Sequence, residues 1–282
     1  MKLVAKLLLG ACVVCVLGLL VFSGRVPLPP LLPQKMASTP KTSFDWKKAD
    51  LFAEPVPVGI DKVKELVEVK TATLKVQVPG QEGAWEVFYR EARPPSGVMR
   101  TNVSVLLLHG RSFTSETWLK LGTLHVLPAL GHRAVAVDLP GYGNTKVAFS
   151  GDKAAFLWQL CEQLQLQSSG LVVVSPSMSG QYSVGFLAAH WRSLAGYVAV
   201  APVATDSVPS SVLALVQTPT VILRGQKDQT GLAEAAAGNL GVLPASVDVL
   251  FEGAGHACYL DQPDRFHRLL HNFVTLLLQQ RN

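Results

Sequence analysis

Ser177 stands between a run of apolar residues and a helix-compatible stretch, in the sequence LVVVSPSMSG from 171 to 180. A serine at a sharp strand-to-helix turn, called a nucleophile elbow, exposes its hydroxyl at the edge of a sheet. The turn is so tight that the residues two before and two after the serine must be very small. Glycine is usual at both positions, but here Ser175 and Ser179 occupy them. Ser177 is therefore a candidate nucleophile that needs support from the rest of the chain.

His256 and Asp228 are the predicted partners of Ser177. Each follows an apolar run that is typical of a strand, at 247–251 and 220–223, and chemistry in open α/β sheets gathers beyond the carboxyl ends of the strands. An imidazole can take the serine proton at neutral pH, and a carboxylate can hold the other ring nitrogen and stabilise the imidazolium. The chain order of serine, acid and histidine agrees with this assignment.

Other acids and histidines compete for these roles. Asp206 follows the preceding strand-like run and is the alternative acid, whereas Asp138 is interpreted as a structural residue that caps a Leu-Pro-Gly turn. His109 is the main rival of His256, but the His-Gly pair there is better explained as the anchor of a loop. We expect the remaining histidines to be packed or exposed residues without a catalytic role.

Two backbone N–H groups are the predicted donors to an oxyanion. One is the amide of Met178, which directly follows the nucleophile at a helix N-terminus. The other is the amide of Arg111, in a loop that Gly110 allows to approach closely. Arg111 and Phe113 would line the mouth of the pocket. The Arg111 side chain either meets an anionic group of the substrate or points away into solvent.

Short apolar runs alternate with helix-compatible segments along most of the chain. This pattern predicts an α/β fold with a doubly wound, mostly parallel sheet, preceded by an antiparallel hairpin at 66–78 and 84–91. Predicted strands lie at 103–108, 133–137, 171–174, 197–201, 220–223 and 247–251, and predicted helices at 116–130, 153–164, 178–190, 232–240 and 263–280. The stretch between Ala201 and Thr218 is too short for a sizeable cap domain, which favours a small acyl group as substrate.

The N-terminal region is apolar from Leu7 to Phe22 and is flanked by basic residues. We expect residues 1–25 to form a transmembrane signal anchor with the N-terminus in the cytoplasm, a single-pass type II arrangement, with a cleaved signal peptide as the alternative. Residues 26–60 are predicted to be a linker and 61–282 the folded domain. Asn102 begins a glycosylation sequon that only this topology would expose to glycosylation.

Composition excludes several classes of function. The net charge is +5, but the basic residues are scattered, so we predict no nucleic-acid binding. The four cysteines make no disulfide framework, and no cluster of side chains has the spacing of a metal site. Neither a metal nor a cofactor is therefore predicted.

Four segments resemble the α/β-hydrolase domain-containing protein 14 family: LLHGRSFTSETW at 107–118, AVAVDLPG at 134–141, SPSMSG at 175–180 and GAGHACYLDQP at 253–263. In that family the serine-flanked elbow is the normal form, and the apolar N-terminus points to its membrane-associated A-type member. The resemblance implies an α/β-hydrolase fold and a serine hydrolase that acts on small acyl groups, with deacetylation as one candidate reaction. The function that we expect first is cleavage of a small ester, thioester or acyl-amide through an acyl-enzyme on Ser177. A protein-interaction scaffold with a weakly active site is the alternative function, and haloperoxidase or lyase chemistry on the same residues is a third.

Overall fold

A single eight-stranded sheet forms the centre of the protein, for which a computed structural model describes residues 46–281. Its spatial order is β1-β2-β4-β3-β5-β6-β7-β8, with β1 and β2 joined as an antiparallel hairpin, β2 antiparallel to β4, and all other neighbours parallel. The strands are β1 (Val69–Val76), β2 (Trp85–Ala92), β3 (Val103–Leu107), β4 (Arg133–Val137), β5 (Gly170–Pro176), β6 (Leu194–Val200), β7 (Thr220–Gly225) and β8 (Ser246–Phe251).

Helices cover both faces of this sheet, so the central strands are buried on both sides. Every residue of β3 and β5 is buried, which explains the near-continuous apolar runs in the sequence. The helices are α1 (Ile60–Lys64), α2 (Ser115–Lys120), α3 (Thr123–Ala129), α4 (Lys153–Gln163), α5 (Gly180–His190), α6 (Ser210–Leu213), α7 (Leu232–Leu240), α8 (Cys258–Asp261) and α9 (Pro263–Arg281). One core cluster includes residues of α4 and α5, and the other includes residues of α2, α3 and α9.

The architecture confirms the predicted α/β-hydrolase fold without a sizeable cap domain. Between β6 and β7 the chain forms only the four-residue helix α6, so nothing of domain size lies over the carboxyl ends of the strands there. One detail differs from the prediction. The single helix expected at 116–130 is two helices, because Gly122 adopts φ 83° between α2 and α3, a left-handed conformation that turns the chain and suits glycine.

Residues ahead of position 61, which the sequence analysis assigned to a linker, contribute to the core. Trp46 and Leu51 are both 5% exposed and belong to the cluster on the α9 face, and the Trp46 ring lies 5.5 Å from that of Phe273. The division into segments 1–25, 26–60 and 61–282 stays a prediction, and these contacts extend the packed surface ahead of the proposed boundary.

The membrane assignment needs correction. Among residues 46–281, no helix is both long and apolar enough to cross a membrane, which contradicts the predicted transmembrane signal anchor and type II topology. The longest helix among these residues, α9, has 19 residues, but charged residues such as Asp264, Arg265 and Arg268 interrupt its sequence, and a spanning helix needs about 20 mostly apolar residues. The predicted anchor itself, residues 1–25, lies outside the described residues.

Candidate active site

Ser177 lies where β5 ends and a short 3₁₀ turn, Ser177–Ser179, leads into α5. Its φ is 50°, a left-handed backbone conformation that is costly for a residue with a Cβ and is found at functional turns. The turn is braced from the loop after β6, where the amide of Val203 donates to the carbonyl of Ser177 at 2.9 Å. Gly180 permits this approach, because a Cβ there would lie 2.2 Å from the Val203 carbonyl oxygen.

The structure brings Ser177, His256 and Asp228 together from three strand ends. His256 Nε2 lies 2.9 Å from Ser177 Oγ, and His256 Nδ1 lies 2.7 Å from Asp228 Oδ2. Because an ionised carboxylate only accepts hydrogen bonds, Nδ1 carries the ring proton and Nε2 is left to accept the serine hydroxyl. This arrangement can remove a proton from Ser177 and return it to a leaving group.

Asp228 is held in place by more than the imidazole. Its side chain is fully buried, and its other oxygen, Oδ1, accepts the backbone N–H of Thr230 at 2.8 Å and the Thr230 hydroxyl at 2.7 Å. Burial raises the pKa of Asp228, but the hydrogen bonds from His256 and Thr230 outweigh burial, so the pKa lies below its ordinary value. The carboxylate is therefore ionised at neutral pH, and both its oxygens are occupied.

His109 anchors the neighbouring loop and does not reach Ser177. Its Nε2 accepts the backbone N–H of Leu139 at 2.9 Å, which leaves Nδ1 to donate to the carbonyl of Gly110 at 2.8 Å. Burial lowers the pKa of His109, consistent with a neutral ring. Gly110 faces the nucleophile, because a Cβ there would lie 3.5 Å from Ser177 Cβ.

The predicted oxyanion donors are the amides of Arg111, which lines the same cavity as Ser177, and of Met178, which directly follows it. Arg111 lies in the loop whose carbonyl at Gly110 accepts the Phe113 amide, and Met178 follows Ser177. Among residues 46–281, neither amide donates to a backbone acceptor. Their predicted role stays a prediction.

A small cavity opens directly at Ser177. It has a volume of about 90 Å³, several times what one water molecule needs. Its lining is mostly apolar and includes residues of the His109–Phe113 loop, the elbow and the histidine loop, namely Gly110, Arg111, Ser112, Phe113, Pro176, Ser177, Val200, His256, Ala257 and Tyr259. The side chain of Arg111 is exposed at this site.

The other candidate residues lie apart from this constellation. Asp206 is exposed in the loop after β6. Asp138 is buried and occupied, since it accepts the Ser115 amide at 2.7 Å and the Asn144 amide at 2.8 Å. Asn102 is exposed next to the start of β3, at the end of the sheet opposite the site, and its glycosylation stays a prediction. Within the described residues, no group of three histidine, cysteine or acidic side chains could hold a metal ion.

Sequence reasoning missed several residues that support the site. Thr230 stands two positions after Asp228, where a hydroxyl could have been expected to bond the carboxylate. Ser183 and Tyr197 carry no comparable local signal, because their hydroxyls reach the elbow only through the packing of α5 and β6 on β5.

Comparison with known proteins agrees with the fold and the family. Residues 105–219 match the alpha/beta hydrolase family. Among solved structures, a predicted CIB-like hydrolase from Thermoplasma acidophilum is similar with a TM-score of 0.60, 23% identity and coverage of 73% of this chain and 99% of that one. A thermophilic esterase from Thermogutta terrifontis gives a TM-score of 0.59 and 18% identity, with coverage of 73% of this chain and 99% of that one. These distant similarities show the fold alone.

Curated relatives are much closer in sequence. The rat protein named "Putative protein-lysine deacylase ABHD14B" is 46% identical over 217 residues, which cover 75% of this chain and 98% of that protein. Rat protein ABHD14A is 41% identical over 199 residues, 69% of this chain and 80% of that protein. Both types match, so these identities do not support the predicted A-type assignment over the B type. The chain belongs to the ABHD14 family of α/β hydrolases.

Proposed function

We propose that this hydrolase cleaves a small acyl ester, thioester or amide through an acyl-enzyme on Ser177. The observation that carries the proposal is the continuous hydrogen-bonded relay from Ser177 Oγ to His256 Nε2 at 2.9 Å and from His256 Nδ1 to Asp228 Oδ2 at 2.7 Å. In this mechanism His256 takes the serine proton as Oγ attacks the acyl carbonyl, and then gives it to the leaving group. Asp228 fixes the ring tautomer and stabilises the imidazolium.

The oxyanion formed in this attack requires donors that are free before the reaction. The amides of Arg111 and Met178 are the proposed donors, because neither donates to a backbone acceptor in the described part of the chain. The brace from Val203 to the Ser177 carbonyl orients the peptide group that carries the Met178 N–H. Water would then hydrolyse the acyl-enzyme with His256 acting again as base.

The size of the cavity favours a short acyl group. A cavity of about 90 Å³ whose lining includes Phe113, Val200 and Tyr259 would suit an acetyl or similarly short chain better than a fatty acyl tail. The name of the rat ABHD14B relative refers to protein-lysine deacylation. We therefore propose acetyl-lysine side chains as the first amide substrates to test, beside short esters and thioesters.

Labelling by a fluorophosphonate probe tests the proposal. Such a probe phosphonylates an activated serine, so the full-length protein should be labelled and Ser177→Ala should not. The same two proteins are then assayed with acetyl, butyryl and octanoyl esters and with acetyl-lysine peptides, and we expect turnover by the wild type that decreases with acyl length. A folded wild type that neither reacts with the probe nor turns over any of these substrates contradicts the proposal and favours a scaffold function.

A further inference from the structure

Four buried hydroxyl groups form a continuous chain beneath the elbow. The hydroxyls of Ser183 and Tyr197 are 2.8 Å apart, those of Ser175 and Ser183 are 2.5 Å apart, and those of Ser175 and Ser179 are 2.9 Å apart. The chain ends where the Ser179 hydroxyl donates to the carbonyl of Pro176 at 2.8 Å. It therefore connects β6, through α5 and β5, to the residue that precedes the nucleophile.

The direction of every hydrogen bond in this chain follows from proton counting. A carbonyl only accepts, and a hydroxyl has a single proton to donate. Because Ser179 donates its proton to the Pro176 carbonyl, it must accept a hydrogen bond from Ser175. By the same argument Ser175 accepts from Ser183. Ser183 in turn accepts from Tyr197, which is the head of the chain. Burial raises the pKa of Tyr197 against the effect of its hydrogen bond with Ser183, so its phenol is protonated and able to donate at neutral pH.

This chain fixes the peptide group between Pro176 and Ser177. The opposite peptide group, between Ser177 and Met178, is fixed by the Val203 amide, which donates to the Ser177 carbonyl at 2.9 Å. With both flanking peptide planes held, the nucleophile is kept at φ 50°, a conformation that the serine itself disfavours. An elbow with glycine at 175 and 179 would have no hydroxyls at these two positions to bond the Pro176 carbonyl.

Resting on the proposed function, we propose that Ser175, Ser179, Ser183 and Tyr197 are positioning residues that orient Ser177 for acyl transfer. None of the four lines the cavity at Ser177, so they act through the backbone and do not touch the substrate. The hydrogen bonds between these hydroxyls all point towards the Pro176 carbonyl. The rate of acylation should therefore depend most on the bond from Ser179 to that carbonyl and least on the first donor, Tyr197.

Single-turnover acylation by p-nitrophenyl acetate separates ester binding from the chemical step in the full-length protein. Ser179→Ala removes the donor to Pro176, and we expect an acylation rate constant lower by about 10- to 100-fold with binding of the ester changed less than about twofold. Tyr197→Phe removes only the head donor and keeps the ring, so we expect a smaller loss of about two- to fivefold. The probe-labelling rates should follow the same order.

Ser104→Ala is the matched control, because it also removes a buried serine hydroxyl that is hydrogen-bonded to another serine, here Ser169 at 2.7 Å, at the opposite end of the sheet. We expect its acylation rate to stay within about twofold of the wild type, whatever the effect on thermal stability. Acylation of Ser179→Ala at the rate of Ser104→Ala, or a larger loss in Tyr197→Phe than in Ser179→Ala, overturns the positioning role. If Ser179→Ala folds poorly, the comparison of Tyr197→Phe with Ser104→Ala tests the proposal. A lower acylation rate in Tyr197→Phe than in Ser104→Ala supports the positioning role, and equal rates overturn it. A wild type that is not acylated refutes the proposed function instead.

Discussion

At the scale of single residues, the acid is the member of the site that sequence alone left open between Asp228 and Asp206. The two now differ sharply, because Asp228 bonds the ring of His256 and Asp206 is exposed. Asp228→Asn offers an amide that cannot hold the ring proton as a carboxylate does, and we expect acylation to slow by roughly 10³- to 10⁴-fold. Asp206→Asn should leave the rate unchanged within about twofold. Equal rates in the two variants would remove Asp228 from the mechanism; probe labelling measures both.

We expect Phe113 to limit the acyl length that the cavity accepts. Its ring lines the cavity of about 90 Å³ at Ser177, so Phe113→Ala should admit longer chains. We expect the ratio of kcat/KM for butyryl over acetyl esters to rise by about tenfold or more. Phe52→Ala is the control, since that ring packs beside Phe251 at 6.3 Å and does not line the cavity. An unchanged chain-length profile in Phe113→Ala would place the acyl group elsewhere.

At the scale of elements, the junction of β5 and α5 depends on a glycine that packing requires. A Cβ at Gly180 would lie 2.2 Å from the Val203 carbonyl oxygen and 2.8 Å from Pro202 Cβ, so Gly180→Ala must push the loop after β6 away from the elbow. We expect a loss of about 2 kcal/mol or more in the free energy of unfolding and a strongly reduced labelling rate.

The same substitution in α7 should have the opposite effect. A Cβ at Gly238 has no heavy atom within 4 Å, and alanine is the better helix former, so Gly238→Ala should add about 0.4 to 1 kcal/mol to the free energy of unfolding. Chemical denaturation of both variants measures the contrast. A destabilised Gly238→Ala, or a fully active Gly180→Ala, contradicts the packing argument.

The elements and the main site residues were accessible to sequence reasoning because their signals are local. The apolar runs predict the strands. Each of Ser177, Asp228 and His256 follows one of these runs, at the edge of the sheet where the carboxyl ends of parallel strands meet. The only sequence signal for the break between α2 and α3 is the single glycine at position 122. The hydroxyl chain from Tyr197 to Ser179 could not be predicted, because its members meet through the tertiary packing of a helix on two strands.

At the scale of the whole molecule, we expect buried histidines to make stability dependent on pH, above all His132 and His267, whose pKa values are lowered most. His132 and His267 are 3% and 7% exposed, and each ring bonds one threonine hydroxyl, Thr101 at 2.7 Å and Thr123 at 2.9 Å. Burial lowers the pKa of both to about 4. His271 lowers the pKa of His132 further, whereas at His267 the opposing effect of Asp264 exceeds the lowering by Lys64. Both rings are therefore neutral in the folded protein well below the pH at which they would protonate in the unfolded chain.

The sign of the effect follows from proton uptake. Below the ordinary histidine pKa of about 6.5 the unfolded state binds protons that the folded state does not, so stability is complete above pH 6.5 and decreases as the pH falls towards 4. Each histidine accounts for up to about 3 kcal/mol over this range. Asp228 does not add to this decline. Its pKa is lowered in the folded protein, so its contribution to stability is lost only when the pH falls below the ordinary pKa of an aspartate. Urea unfolding at pH 7, 6, 5 and 4.5 should show this decline, with a shallower slope in His267→Gln. A stability that is flat across this range would mean that the rings take up protons equally in the folded and unfolded states. A slope unchanged in His267→Gln would mean that His267 does not contribute to the decline.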